Sequence, residues 1–310
     1  MSVRTGPGPL FVEQLSAAAY AVYFGVKVAW DVYHPPTQPL DTDPGDHGMP
    51  YETWQWQTSR DNVHVEGWFV EGTGPHGAVV QHGVGRNRAE TLRQVKLLHE
   101  EGFHVLTVDM RNHGSSGRCR NVTGMSGRYT SDLLDALTRL RADNRVTGSL
   151  GCLAMSFSTW PAVCAGASPQ AARLGLTAIV CDSGPVPDIK QAITRFATAL
   201  SMREERLGTS LSRRLVRAVA PTTAAAILAV RHWPETGCNL PVLLITGGRD
   251  RLLPPEEVTS MVAFLPDAST WFVPKASHLG AVTSDSDGYK DRVSTFFRDH
   301  GQSTLHQVAT

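Results

Sequence analysis

Strand-like and helix-like segments alternate along most of this chain, and this alternation limits its fold more than any other feature. Two segments with strand periodicity, "YETWQWQTS" and "VHVEGWFVEG", follow residue 50, and short apolar runs separated by amphipathic helical patterns come after them. Alternation of this kind is typical of a mainly parallel sheet with helices on both faces. We therefore predict an α/β fold.

One stretch without strand character interrupts the alternation and divides the chain. Residues 185–238 are helical in pattern and rich in Arg and Ala, and the strand–helix series resumes after them at "PVLLITGGRD". We predict that this stretch is a helical lid inserted into a core of residues 51–184 and 239–303. Residues 1–50 are predicted to be an N-terminal helix with a proline-rich linker, which cannot continue a helix. Residues 304–310 are predicted to be a tail.

The N-terminal helix is predicted from an apolar stretch, "QLSAAAYAVYFGV", at residues 14–26. Its thirteen residues are too few to span a bilayer, which takes about 20. Apolar side chains recur there at helical spacing: Phe11, Leu15, Ala18, Val22, Val26 and Trp30. We expect residues 11–30 to pack on the protein surface or on a partner chain. A peripheral membrane contact and a cleaved signal peptide are the alternatives.

Composition excludes several classes of function. Lys and Arg number 29, as do Asp and Glu, and no basic run is present, so a nucleic-acid partner is not expected. The five cysteines form no CxxC pair, which favours a reducing, cytoplasmic location without a disulfide framework. No metal-ligand spacing, Walker lysine or Rossmann glycine pattern occurs, so neither a metal nor a cofactor is expected.

Ser156 is the first candidate for chemistry. It lies in "LAMSFSTWPAV", between an apolar strand-like run and a helix. A sharp corner there would raise its side chain above the sheet edge, beside a helix N-terminus that favours negative charge. Ala154 and Ser158 occupy the glycine positions of the usual G-x-S-x-G pattern, and both are small. This stretch alone leaves two interpretations open, a nucleophile or an ordinary turn serine.

A serine nucleophile needs a base within hydrogen-bond reach and an acid that orients the base. Asp250 closes "PVLLITGGRD" and His278 lies in "VPKASHLGAV", each after a predicted strand. Asp182, at the end of "AIVCD", is a rival acid, and Asp109 is a residue that could instead shape the site. The order Ser156, Asp250, His278 is the chain order of one hydrolase class.

The segment "AVVQHGVG" supplies candidate backbone donors. The loop after its strand can aim the amide of Val84 at the same oxyanion as the amide of Phe157. Glycine lets the backbone approach a substrate closely. We therefore predict oxyanion donors at Val84 and Phe157, with His82, Gly83 and Gly85 as substrate-binding residues.

Taken together, these stretches resemble the α/β-hydrolase fold family from about Trp54 to His300. The resemblance is carried by "HGVGRN", "DMRNHGSSG", "AMSFS", "GGRDRLLPPEEV" and "ASHLG". It implies an eight-stranded, mainly parallel sheet, a lid after the sixth strand, and the oxyanion donors named above. It also implies a catalytic triad of Ser156, Asp250 and His278. Asn112 stands where the family usually has glycine, and members with an aspartate nucleophile do not fit a serine at the corner.

These features predict a serine hydrolase that cleaves a small-molecule carboxylic ester or thioester through an acyl-enzyme. One alternative keeps the same triad for biosynthetic acyl transfer, cyclisation or carbon–carbon bond hydrolysis. The other is a non-catalytic binding protein of the same fold, since one fold hosts many functions. Analysis of the products separates the first two, and an active-site fluorophosphonate probe separates both from the third.

Overall fold

An eight-stranded sheet organises the chain in a computed structural model that describes residues 9–121, 123–202, 210–228 and 237–307. The strands are β1 (Tyr51–Gln57), β2 (His64–Val70), β3 (Gly77–Gln81), β4 (His104–Val108), β5 (Leu150–Met155), β6 (Leu176–Asp182), β7 (Val242–Gly247) and β8 (Ala268–Val273). The helices are α1 (Pro9–Tyr33), α2 (Leu92–Glu100), α3 (Met125–Arg141), α4 (Thr159–Gly166), α5 (Pro169–Arg173), α6 (Ile189–Met202), α7 (Ser210–Leu228), α8 (Pro255–Thr259), α9 (Ala281–Ser284) and α10 (Ser286–Gln307).

The strand order is β1-β2-β4-β3-β5-β6-β7-β8. The β1–β2 and β2–β4 pairs are antiparallel, and the remaining neighbours are parallel. In the sheet, β4 lies on one side of β3 and β5 lies on the other, so the chain reverses its direction across the sheet after β4. Because parallel crossovers are right-handed, this reversal places helices on both faces. The predicted mainly parallel eight-stranded sheet is confirmed, and its helical insertion follows β6 as expected.

The central strands end together at one edge of the sheet. Gln81 of β3 lies opposite Ala154 of β5, Met155 of β5 lies opposite Asp182 of β6, and Asp182 lies opposite Ile245 of β7. Every residue of these four strands is buried, as expected for parallel strands covered on both faces. The loops that leave β3, β5, β6 and β7 therefore meet at the same edge, which is where ligands bind in open α/β sheets.

A hydrophobic core packs α2 and α10 against the sheet. Its members share near-complete burial and include Val80, Val95, Leu98, Leu153, Val180, Ile245, Tyr289, Val293 and Phe297. Each such side chain contributes roughly 1.5–3 kcal/mol of hydrophobic stabilisation. The core fixes α10 in place, so that Tyr289 is held beneath the end of β6.

The residue contacts divide the chain into two units, one with α1, α6 and α7 and the other with the sheet and the remaining helices. Within the first unit α1 packs against α7. At Gly25 a Cβ atom would lie 2.7 Å from the backbone oxygen of Ala220 and 2.6 Å from Cβ of Thr223. Only glycine permits so close an approach of the two helices.

The helix predicted over residues 11–30 is confirmed, but its buried face is not the stripe that the spacing singled out. Leu15, Val22, Val26 and Trp30 are each about half exposed. The adjacent face is buried instead: Ala17, Ala21, Phe24, Val28 and Val32. The helix is apolar on both faces, and the smaller side chains allow the close contact with α7. The side chain of Phe11 lies outside the described residues.

None of the helices within the described ranges combines the length and the hydropathy that crossing a bilayer requires. The contact that residues 11–30 make with a partner chain or a membrane surface stays a prediction, and so does the location.

The predicted domain boundaries also stay predictions. In chain order α6 and α7 lie between β6 and β7, inside the predicted lid, while residues 203–209 and 229–236 lie outside the described part. The predicted linker at 34–50 contains one short 3-10 turn, Gly45–His47. At the other end α10 continues to Gln307, into the predicted tail, of which residues 308–310 are not described.

Candidate active site

Ser156 stands at a sharp corner between strand and helix. β5 ends at Met155, a 3-10 turn covers Ser156–Ser158, and α4 begins at Thr159. The φ angle of Ser156 is +53°, in the left-handed region that residues other than glycine rarely adopt. Such a conformation costs about 1–3 kcal/mol and persists where the surroundings impose it, most often at functional sites. This corner is the geometry that the nucleophile interpretation requires.

Ser158 explains why the corner departs from the usual glycine pattern. Its buried hydroxyl accepts the amide of Met155 at 2.7 Å, and its one proton is shared between the carbonyls of Gln81 at 3.0 Å and Met155 at 2.9 Å. These bonds tie the corner to β3, which a glycine could not do. Ala154 is also fully buried, paired with Gln81 on one side and Cys181 on the other.

Ser158→Ala is expected to destabilise the protein by about 1–3 kcal/mol, because it leaves the buried amide of Met155 without its acceptor. The measurement is the midpoint of thermal unfolding, followed by circular dichroism. Ser284→Ala, at an exposed serine that ends α9, is the matched control and should leave the midpoint unchanged. A midpoint for Ser158→Ala equal to that of the control would contradict this account of the corner.

Three side chains from distant parts of the sequence form one hydrogen-bonded chain at this edge. The Ser156 hydroxyl lies 2.8 Å from Nε2 of His278, and Nδ1 of His278 lies 2.7 Å from Oδ2 of Asp250. A neutral imidazole with its proton on Nδ1 donates to Asp250 and accepts from Ser156. A serine, a base and an acid are therefore joined in the order that nucleophilic catalysis needs.

The loop after β7 orients Asp250. Its Oδ1 accepts the amides of Leu252 and Leu253, each at 2.9 Å, which leaves Oδ2 for His278. Asp182, the rival acid, is instead engaged by the hydroxyls of Ser183 and Tyr289, each at 3.0 Å. Of the two carboxylates, Asp250 is therefore the one that contacts His278.

The loop after β3 lies directly against Ser156. A Cβ atom at Gly83 would lie 3.2 Å from Cβ and 3.7 Å from Oγ of Ser156, so a side chain there would crowd the hydroxyl. Val84 and Phe157, whose amides are the predicted oxyanion donors, directly follow Gly83 and Ser156 in the sequence. Both amides thus belong to segments that border the Ser156 hydroxyl.

Two buried histidines hold this loop. Nδ1 of His82 donates to the carbonyl of Gly83 at 2.7 Å, and Nε2 accepts the amide of Met110 at 3.1 Å. Nε2 of His113 accepts the amide of Gly85 at 3.0 Å. Burial lowers the pKa of His82 to about 4 and, with the nearby His82, lowers the pKa of His113 to about 3. Both rings are neutral at neutral pH, so each keeps an acceptor nitrogen for a backbone amide.

A third tether begins at Asp109, the residue that was expected to shape the site. Its carboxylate accepts the amide of Arg88 at 2.7 Å and the Arg88 guanidinium at 2.5 Å. It also accepts the amide of Ser115 at 2.8 Å. Burial raises the pKa of Asp109, and the Arg88 guanidinium is the main opposing influence. The segment that carries Val84 is therefore held at both ends by the loop after β4.

Sequence reasoning gave no role to His113, Ser158 or Ser183. His113 lies in "DMRNHGSSG", Ser158 lies in "LAMSFSTWPAV", and Ser183 directly follows "AIVCD". Each contacts a backbone group that is distant in sequence, in β3 for Ser158 and in another loop for His113 and Ser183, and no spacing within one stretch reveals such a partner. Among the described residues, no cluster of His, Cys, Asp or Glu could hold a metal ion.

A mostly parallel eight-stranded sheet, with a serine at the corner after its central strand, is the architecture of the α/β-hydrolase class. The chain belongs to the alpha/beta hydrolase family, whose sequence pattern matches residues 76–291. A sequence search of curated proteins found no match.

Solved structures support the same fold. The esterase Pf2001 of Pyrococcus furiosus superposes with a TM-score of 0.70 at 21% identity, covering 87% of this chain and 98% of the esterase. A thermophilic esterase from Thermogutta terrifontis, solved with malate bound, gives 0.57 at 20% identity, with 81% and 99% covered. A serine hydrolase involved in carbazole degradation gives 0.56 at 14% identity, with 80% and 99% covered. At these identities the likeness concerns the fold.

Proposed function

We propose that this protein is a serine hydrolase that cleaves a small-molecule carboxylic ester or thioester through an acyl-enzyme. The observation that carries the proposal is the unbroken hydrogen-bonded chain from Ser156 through His278 to Asp250, at 2.8 and 2.7 Å. Membership of the alpha/beta hydrolase family and the structural likeness to two esterases support it.

In the first half of the reaction the Ser156 hydroxyl attacks the carbonyl carbon of the substrate. Its proton passes to Nε2 of His278, and the Asp250 carboxylate stabilises the resulting imidazolium across 2.7 Å. The tetrahedral intermediate then collapses, and the bond to the leaving alcohol or thiol breaks. The same Nε2 returns the proton to that leaving group, and the acyl group stays on Ser156.

The negative oxygen of the tetrahedral intermediate binds the amides of Val84 and Phe157 in this proposal. Loss of one such donor costs roughly 100- to 1,000-fold in rate in serine hydrolysis. Such donors accelerate the reaction when they are held in position before it begins. We assign the role of holding the Val84 segment in position to His82, His113 and Asp109. The buried ring of His82, with both nitrogens engaged, suits this role better than the substrate contact expected from the sequence.

In the second half a water molecule attacks the acyl carbon. Its proton passes to Nε2 of His278, the carboxylic acid leaves, and Ser156 recovers its proton from the imidazolium. Acyl transfer, cyclisation and carbon–carbon cleavage would use the same residues, and no contact of the described residues favours them over hydrolysis.

The test combines covalent labelling with a substrate series. We expect the wild-type protein to react with a fluorophosphonate probe and to release free acid from p-nitrophenyl esters or acyl-thioesters of increasing chain length. Ser156→Ala should do neither. A folded wild-type protein without labelling or turnover would support the non-catalytic alternative. An acylated or cyclised product in place of free acid would support the transfer chemistry.

A further inference from the structure

A second hydrogen-bonded chain reaches the residue that follows His278, and the proposed mechanism does not use it. The amide of Leu279 donates to Oγ of Ser183 at 2.9 Å. The Ser183 hydroxyl in turn donates to Oδ1 of Asp182 at 3.0 Å. This chain connects the loop that carries His278 with the end of β6, a different strand from those that carry Ser156 and Asp250.

Both residues joined by the first bond have unusual backbone conformations. The φ angle is +57° at Leu279 and +60° at Ser183, in the left-handed region that costs a residue other than glycine about 1–3 kcal/mol. Such angles persist only where contacts impose them. The amide of Ser183 donates to the carbonyl of Ile245 in β7 at 2.9 Å, so Ser183 is itself anchored in the sheet. Ser183 is thus a fixed point to which the next loop is attached.

Asp182 determines which way the Ser183 hydroxyl points. It is fully buried, and its Oδ2 accepts the hydroxyl of Tyr289 at 3.0 Å. Burial raises the pKa of Asp182 to about 6, with Asp250 adding to the rise, while Ser183, Tyr289 and His278 oppose it. Its two oxygens each accept a hydroxyl, Oδ1 that of Ser183 and Oδ2 that of Tyr289. Since the single proton of Ser183 points at Asp182, the lone pairs of its oxygen are left for the amide of Leu279.

We propose that Ser183, oriented by Asp182, is a positioning residue for His278. It fixes the backbone at Leu279 and so holds Nε2 of His278 at hydrogen-bond distance from Ser156. This inference rests on the proposed function, because it concerns the base of that reaction. A displacement of about 1 Å at a reacting group costs about 100-fold in rate.

Ser183→Ala is therefore expected to lower kcat by about 10- to 100-fold and to change KM less than twofold. KM changes little because the hydrogen bond between Leu279 and Ser183 positions the base, His278, and does not involve the residues that contact the substrate. The second-order rate of fluorophosphonate labelling should fall in parallel, because it also depends on His278. Ser183→Gly removes the same hydroxyl but adopts φ near +60° without strain, so the two variants should agree.

Tyr289→Phe is the matched control. It also removes one of the two hydroxyls that donate to Asp182. The lost hydroxyl donates to Oδ2, whereas Ser183 donates to Oδ1, so the hydrogen bond from Leu279 to Ser183 stays in place. We expect kcat to change less than threefold in this variant, although its unfolding midpoint should also fall. All kcat values, measured with p-nitrophenyl acetate, are divided by the fraction of molecules that fluorophosphonate titrates, which removes the effect of misfolded protein.

Two results would overturn the proposal. One is a kcat per titrated site within twofold of wild type in both Ser183 variants, and the other is an equal loss in Tyr289→Phe and Ser183→Ala. Failure of the proposed function gives different results: either the folded wild-type protein shows neither labelling nor turnover, or Ser156→Ala keeps wild-type activity whatever the Ser183 variants do.

Discussion

Ser156→Ala is expected to lower kcat/KM for a p-nitrophenyl ester by at least about 10,000-fold. In the proposed mechanism the acyl-enzyme forms on the Ser156 hydroxyl, which lies 2.8 Å from Nε2 of His278. His278 would keep its place beside an inert methyl group. Residual activity would come from the oxyanion donors and from substrate binding, which by themselves still accelerate hydrolysis over water.

The measurement is steady-state kinetics of purified wild type and variant, with fluorophosphonate labelling of both. His278→Ala should lose a similar factor, and the double variant should lose little more, because residues that act as a unit are not additive. Circular dichroism and the unfolding midpoint show that the variants are folded. A folded Ser156→Ala protein with wild-type kcat/KM would end the proposal of a serine nucleophile.

Asp250→Asn should lower kcat by about 1,000- to 10,000-fold with little effect on the fold. The asparagine oxygen still accepts the amides of Leu252 and Leu253, so its NH₂ group faces Nδ1 of His278. A donor at that place favours the tautomer with its proton on Nε2, which cannot accept the proton of Ser156. The variant also lacks the charge that stabilises the imidazolium.

Asp182→Asn is the control that separates the two candidate acids. It removes a buried carboxylate of the same type, one strand away, whose hydrogen-bond partners are Ser183 and Tyr289. We expect its kcat to fall by no more than about 100-fold, through the position of His278. The same kinetic assay serves both variants. If Asp182→Asn lost as much activity as Asp250→Asn, the assignment of the acid would be wrong.

Much of the candidate site follows from the local sequence. Ser156, Asp250 and His278 each come after an apolar strand-like run, and the carboxyl ends of parallel strands share one edge, so their meeting could be expected. The loop after β3, which carries the predicted oxyanion donor Val84, could be placed by the same argument. The roles of Ser158 and His113 could not, because each depends on a backbone group that is distant in sequence. Even the choice between Asp182 and Asp250 needed the hydrogen bonds of the folded chain.

The N-terminal helix shows a second limit. Its periodicity predicts a helix, and α1 spans Pro9–Tyr33. It does not predict which face is buried, because apolar side chains occur all round the helix. Close packing on α7 favours the side with Ala17, Ala21 and Gly25. The larger side chains Val22 and Trp30 are left half exposed.

The sequence by itself determined the succession of strands and helices, the sheet edge, and the serine, the histidine and the two candidate acids that lie there. These depend on hydrophobic periodicity and chain order, which are local properties. Only the tertiary structure decided what holds those residues in place, from the Ser158 bond to β3 to the Ser183 bond at Leu279. A hydrogen bond forms within about 3 Å of its partner, and which groups come that close depends on how separate segments pack.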